Sequence, residues 1–173
     1  MDKARTNVEA KAGGTAPGIA IFIYGDRAYS AAANNLAVTI RKHSPGIPIH
    51  VWAGAGMSIN AGLFDGIHPM PEELYADGPG SLKVRIHDLL PEGDWLYLDA
   101  DTLCISDLRP WIDKLSGHDF AVQVLGKGKA GDSIAYMPWV TPETITRVTG
   151  CASDATFYGV QSSWLWVRKG SKL

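Results

Sequence analysis

Two acidic residues, Asp99 and Asp101, flank Ala100 directly after an apolar stretch at residues 94–98. That stretch is predicted to be a buried strand. Because side chains two residues apart in a strand point the same way, the two carboxylates can converge on one point beyond the strand's end. Mg²⁺ and Mn²⁺ prefer such oxygen ligands and complete their shells with water and substrate phosphate. The triplet therefore predicts a divalent-metal site for a diphosphate, whereas the plainer interpretation is a solvated turn.

The elements before the triplet predict how it is positioned. Residues 19–24 (IAIFIY) are typical of a strand buried on both faces, residues 28–42 have helical spacing, and residues 49–53 form a second strand. Units of strand, helix and strand build parallel sheets with right-handed crossovers. We therefore predict an α/β fold with a Rossmann-like, mostly parallel central sheet and flanking helices. In such sheets ligands lie beyond the carboxyl ends of the strands, where the triplet stands.

The rest of the chain continues the alternation of strands and helices. Further strands are predicted at residues 66–68, 94–98, 120–125 and 157–167, and further helices at residues 81–90, 108–115 and 142–148. Ser81 and Asp107 are the predicted N-caps of the first two of these helices, and the first helix carries Lys83. A polar segment, residues 161–163, interrupts the last strand. The sequence shows no internal repeat.

The composition is that of an ordinary globular domain, with 173 residues, 46% hydrophobic and 20% charged. The net charge of -2 provides no basic field that would attract nucleic acid. Residues 1–18 are small and polar and are expected to be a flexible leader, whereas residues 19–173 are expected to be a single domain. The sequence has neither a signal-peptide core nor a run long enough to cross a bilayer. A cytoplasmic location without a membrane span is therefore expected.

A family resemblance is carried by the run SLKVRIHDLLPEGDWLYLDADTLCISDLRPW. It resembles the core of the glycogenin-like glycosyltransferases, glycosyltransferase family eight, which have the type-A glycosyltransferase (GT-A) fold. The resemblance implies that Asp99 and Asp101 bind Mn²⁺ or Mg²⁺. It also implies that Lys83 lies near the donor's phosphate or ribose, and that Ala100 and Asp101 belong to the donor site.

Two other segments extend the resemblance. The run IFIYGDRAYS is similar to the family's first strand and base-binding loop, which implies that the nucleotide contacts a set of four residues. This set is Tyr24, Gly25, Asp26 and Tyr29. Near the C-terminus, Gln161 and Ser162 fall where the family has Asn and Ser in a sugar-contacting Phe-Asn-Ser-Gly segment, so they are possible sugar contacts. No catalytic nucleophile can be named.

The function implied by the resemblance is transfer of a hexose from a nucleoside diphosphate sugar, a UDP-sugar by preference, to a hydroxyl acceptor, with retention of configuration. Family members continue past the position of Leu173 with an Asp-Gln segment and a metal-binding histidine, so the chain is expected to be truncated and slow in transfer. Two alternatives stay open. One is a non-catalytic domain that binds nucleotide sugars or is purely structural, and the other is a nucleotidyltransferase, which also pairs carboxylates with a phosphate substrate.

Overall fold

The computed structural model describes residues 16–75, 82–83, 85–129 and 156–170, with the backbone alone at 125–129 and 156–162. The strands are β1 (Gly18–Ile23), β2 (Ile49–Ala53), β3 (Gly66–Pro69), β4 (Gly93–Asp99), β5 (Phe120–Lys129) and β6 (Thr156–Lys169). The helices are α1 (Ala28–His43), α2 (Ile86–Leu89) and α3 (Arg109–Leu115), and 3₁₀ turns lie at Ala61–Leu63 and Glu72–Leu74. Within these described ranges, no helix is long and apolar enough to cross a membrane.

The strands form one six-stranded sheet in the order β3-β2-β1-β4-β6-β5. β1 pairs in parallel with both β2 and β4, and β2 pairs in parallel with β3. β6 runs antiparallel to β4 and to β5. The predicted α/β class with a mostly parallel central sheet is therefore confirmed, and β1 is the central neighbour of both β2 and β4.

Hydrophobic cores cover both faces of the sheet. All six residues of β1 are buried, because alternate side chains enter opposite cores. Ile19, Ile21 and Ile23 pack on the face covered by α1 and α3. Ala20 and Phe22 enter the second core, together with Tyr97 of β4 and with Leu82 and Ile86 from the segment around α2. An apolar run without alternation is what a central parallel strand requires.

Two helix predictions need correction. The helix predicted at residues 81–90 is interrupted at Arg85, whose φ of -106° and ψ of 12° lie outside the helical region. Leu82 and Lys83, before the break, are helical, and α2 after it is only four residues long. Asp107 is not the N-cap of α3, whose cap position is Leu108. The Asp107 carboxylate instead accepts the Arg109 N–H at 3.1 Å and pairs with the Arg109 guanidinium at 2.8 Å. The predicted cap at Ser81, the helix at 142–148 and most of the leader lie outside the described residues.

The polar interruption predicted in the last strand is an irregularity in strand pairing. Gln123 of β5 is opposite Gln161, but its neighbour Val122 is opposite Leu165, so three residues of β6 have no partner on β5. β4 ends nearby, since Leu98 is opposite Trp164. The segment that holds Gln161 and Ser162 therefore lies beyond the carboxyl end of β4.

Candidate functional site

A cavity of about 300 Å³ opens where β1 and β4 end. It is lined by Phe22, Ile23, Tyr24, Gly25, Asp26, Tyr29, Leu82, Lys83, Tyr97, Asp99, Ala100 and Asp101. Eight of these residues are the ones that the sequence singled out on the loop after β1, on the segment around Lys83 and in the acidic triplet. Segments far apart in sequence therefore meet at one edge of the sheet, as expected for the carboxyl ends of adjacent parallel strands.

The loop after β1 forms one wall of the cavity. Gly25 has φ 77°, in the left-handed region that a side chain disfavours, and this conformation turns the chain from β1 toward α1. The carboxylate of Asp26 accepts the Ala28 N–H at 2.8 Å, which satisfies a donor of the first turn of α1. Tyr29, on that turn, is 45% exposed. Asp26 therefore has a structural role at the start of the helix besides its place in the cavity.

Asp99, the last residue of β4, is held by two neighbours. The ammonium of Lys83 lies 2.8 Å from Oδ1 and 2.9 Å from Oδ2 of the carboxylate, and the Tyr97 hydroxyl donates to Oδ1. The side chains of Lys83 and Asp99 are 27% and 22% exposed, so the pair is partly shielded from water. The lysine predicted near the donor's phosphate thus lies beside one of the two predicted metal ligands.

Tyr97 is a fixed hydrogen-bond donor in this group. Burial, followed by the negative charge of Asp99, raises the pKa of its phenol far above the ordinary value. The hydroxyl therefore keeps its proton across the physiological range and donates it to the carboxylate. Tyr97 lies in the strand predicted at residues 94–98, but its contact with Asp99 was not predicted. Alternation along a strand shows which side chains share a face and not which ones hydrogen-bond.

Asp101 differs from Asp99 in its surroundings. It lies exposed in a turn, and no described residue makes a hydrogen bond or ion pair with its carboxylate. The turn is fixed by Thr102, whose hydroxyl and N–H donate to the Asp99 carbonyl at 2.7 and 3.1 Å. The chain beyond it is tied to α1 by the Cys104 N–H, which donates to the Thr39 hydroxyl at 3.0 Å. Asp101 thus lies on an anchored loop with its carboxylate free of any partner among the described residues.

An aromatic pair that the sequence did not predict stands beside the cavity. Tyr75 stacks on Tyr24, with ring centroids 4.8 Å apart. Gly54 allows this approach, because a Cβ there would lie 3.0 Å from Tyr24 Cβ and 3.4 Å from the Tyr75 hydroxyl. Burial, followed by the charges of Tyr29 and Asp99, raises the pKa of Tyr24. Tyr75 lies within residues 54–80, a stretch rich in Gly, Pro and Asn for which the sequence predicts loop apart from the strand at 66–68.

The predicted sugar contacts, Gln161 and Ser162, lie on β6, and their side chains are outside the described part of the structure. Their role stays a prediction. The backbone places them near the same edge of the sheet as the cavity, since Trp164 is opposite Leu98, the residue before Asp99.

The charged groups of the cavity favour cations. Among the described residues that line it, three carry a carboxylate, namely Asp26, Asp99 and Asp101, and one, Lys83, carries an ammonium. Carboxylate oxygens are suitable ligands for Mg²⁺ or Mn²⁺, and the free carboxylate of Asp101 fits such an ion directly. The Asp99 carboxylate is paired with the Lys83 ammonium in this structure. Among the described residues, no group of three or more His, Cys, Asp or Glu side chains is placed to hold a metal.

A second cavity, of about 390 Å³, lies on the other face of the sheet. It is lined by Leu96, Leu98, Leu108, Trp111, Leu115, Gln123 and Trp164. It is larger, but none of its described lining residues has an ionisable side chain, so acid, base and metal chemistry all favour the first cavity as the functional site.

Comparisons with known proteins concern the fold. A crystal structure of the galactosyltransferase LgtC in complex with donor and acceptor sugar analogs is similar to 87% of this chain, with 18% identity and a TM-score of 0.58, and the match spans 57% of that protein. The glycosyltransferase GlyE of Streptococcus pneumoniae TIGR4 matches 88% of the chain over 34% of its own length, with 14% identity and a TM-score of 0.48. No protein-family model and no curated protein sequence matches the chain. The structural likeness to LgtC and the mixed, mostly parallel sheet show that this chain has the α/β fold of the GT-A glycosyltransferases.

Proposed function

We propose that this chain is the donor-binding domain of a glycogenin-like glycosyltransferase, which transfers a hexose from a UDP-sugar to a hydroxyl acceptor with the help of Mn²⁺ or Mg²⁺. The observation that carries the proposal is the convergence of Tyr24, Lys83, Asp99 and Asp101 on one cavity at the carboxyl ends of β1 and β4. The fold agrees with it, since LgtC, which binds donor and acceptor sugar analogs, shares that fold.

The charges of the cavity explain why a metal would be needed. A diphosphate is an anion, and three carboxylates against one ammonium would repel it. A divalent ion bound by Asp99 and Asp101 would neutralise these charges and stabilise the charge that develops on the departing diphosphate. Lys83 lines the same cavity and would supply a second positive charge to the leaving group.

The remaining residues of the site would position the donor. Tyr24, next to the loop that turns into α1, offers an aromatic face for the base, and stacking on such a face tolerates different bases. Gly25 leaves the mouth of the cavity open, because no atom lies within 4 Å of where its Cβ would be. Gln161 and Ser162 lie on β6 near the cavity's edge and would contact the sugar.

The test is UDP release. The chain is incubated with UDP-glucose or UDP-galactose, Mn²⁺ and a panel of hydroxyl acceptors, and both free UDP and the transferred sugar are measured. We expect slow release of UDP from the UDP-sugar. EDTA should abolish this release, and added Mn²⁺ should restore it. Binding of the donor without any release would support the non-catalytic alternative, and failure to bind UDP-sugars at all would overturn the proposal.

A further inference from the structure

We propose that Lys83 competes with the divalent ion for Asp99, so that binding of a metal releases the lysine ammonium to the donor's diphosphate. This inference rests on the proposed donor site. It assigns two successive partners to one side chain, first the carboxylate of Asp99 and then the phosphate of the donor.

The geometry of the pair motivates the first step. The ammonium lies almost equally far from both oxygens of Asp99, at 2.8 and 2.9 Å. This is the position between the two oxygens that a chelated cation would take. A carboxylate has about four lone-pair positions in all, and the Tyr97 hydroxyl takes another one on Oδ1. A metal can therefore use both oxygens of Asp99 only after Lys83 has left.

The electrostatics of the cavity favour such an exchange. With the ammonium in place, the carboxylates of Asp26, Asp99 and Asp101 are partly neutralised, and the cavity attracts a second cation less strongly. A divalent ion brings twice the charge of the ammonium and can bridge Asp99 to the free carboxylate of Asp101. Lysine, a flexible point charge with three donors, is well suited to change partners in this way.

The second step follows from where Lys83 would go. Its side chain is 27% exposed and lines the same cavity as Asp101, so it can turn toward a ligand without unfolding the segment around α2. After it leaves Asp99, the diphosphate held by the ion would be a strong acceptor for it within the same cavity. Metal binding would thus prepare the site for the donor. Lys83 would weaken binding of the metal and strengthen binding of the donor.

The decisive experiment compares Mn²⁺ alone with UDP in the presence of Mn²⁺. Binding of Mn²⁺ to the nucleotide-free protein is measured from the loss of the aqueous Mn²⁺ signal in electron paramagnetic resonance, for the wild type and for Lys83→Met. We expect Lys83→Met to bind Mn²⁺ about tenfold more tightly, because a positive charge has been removed next to the site. At saturating Mn²⁺ the same variant should bind UDP about tenfold more weakly, because a phosphate partner has been lost.

Two controls isolate the effect. Lys42→Met removes an exposed lysine near the C-terminal end of α1, at the opposite edge of the sheet, and should change neither affinity. Lys83→Arg keeps the positive charge and should bind Mn²⁺ as weakly as the wild type does. Thermal unfolding of each variant shows whether it folds.

Opposite changes in the two affinities of Lys83→Met would support the inference, because damage to the fold alone would weaken both. Equal or weaker Mn²⁺ binding by folded Lys83→Met would overturn it. The outcome is separate from that of the proposed function, since Mn²⁺ binding is measured without nucleotide. A failure of the wild type to bind UDP would overturn the proposed function and, with it, the second step of the inference, whereas the first step is decided by Mn²⁺ binding alone.

Discussion

The ring of Tyr75 lies on that of Tyr24, with centroids 4.8 Å apart and planes inclined by 24°. A base inserted between two rings needs about 3.5 Å of separation from each. The stack has no such room, so a bound base would either lie on the other face of Tyr24 or take the place of Tyr75. In both arrangements Tyr24 is the aromatic platform of the proposed site.

Replacement of Tyr24 tests this platform. Tyr24→Leu should weaken UDP binding by about tenfold, within the range that base stacking contributes. Tyr24→Phe keeps the ring without the hydroxyl and should bind UDP as the wild type does. Calorimetric titration of both variants with UDP at saturating Mn²⁺ measures the two affinities. Equal affinity for Tyr24→Leu and the wild type would mean that the base does not stack there.

The hydrogen bond from Tyr97 to Asp99 is expected to stabilise the fold. Tyr97 is 3% exposed, and its hydroxyl donates to a charged acceptor. Removing that hydroxyl in Tyr97→Phe should lower the free energy of unfolding by about 1.5 kcal/mol, as for other hydrogen bonds to charged groups. Urea denaturation followed by fluorescence measures the change. Tyr29→Phe, at a residue that is 45% exposed, is the matched control and should change stability by less than about 0.5 kcal/mol.

A histidine pair should make stability depend on pH. His50 Nδ1 lies 3.0 Å from His68 Nε2, and burial, followed by the charge of His68, lowers the pKa of His50, although Asp65 acts in the opposite sense. The unfolded chain therefore binds a proton more readily than the folded one. The contribution of neutral His50 to the free energy of unfolding is therefore complete above the ordinary histidine pKa of about 6.5. It falls as the pH drops below that value.

Urea denaturation at pH 7.5 and at pH 5.5 checks this expectation. The loss of stability on acidification should be smaller in His50→Gln than in the wild type. His118→Gln, at an exposed residue just before β5, should keep the wild-type loss. An identical pH dependence in His50→Gln and the wild type would show that the pair does not titrate in this range.

Much of the central fold could be predicted from the sequence, because it depends on local patterns. The apolar run of β1, the helical spacing of α1 and the strand before Asp99 each indicate one kind of element, and parallel pairing then places their carboxyl ends together. The break at Arg85 could not be predicted, since leucine spacing continues through it. The backbone of Arg85 adopts a turn conformation there, which ends the helical hydrogen bonding.

The sequence predicted which segments line the cavity but did not predict the contacts between their side chains. The triplet and the loop after β1 could be assigned to one edge of the sheet because strand direction fixes where each strand ends. The pairing of Lys83 with Asp99 and the stacking of Tyr75 on Tyr24 depend on side-chain packing between distant segments. No spacing rule along the chain encodes such contacts.

The central claim, that this cavity binds a metal and a nucleoside diphosphate sugar together, is tested most directly by calorimetric titration with UDP in the presence of Mn²⁺ and of EDTA. We predict that chelation weakens UDP binding by more than about tenfold, because the carboxylates then face the diphosphate unneutralised. Asp101→Asn should lose this metal-dependent part and stay folded, whereas Asp113→Asn, at an exposed position of α3, should keep it. Equal affinity for UDP with Mn²⁺ and with EDTA, or in Asp101→Asn and the wild type, would contradict the account and leave the acidic triplet as a solvated turn.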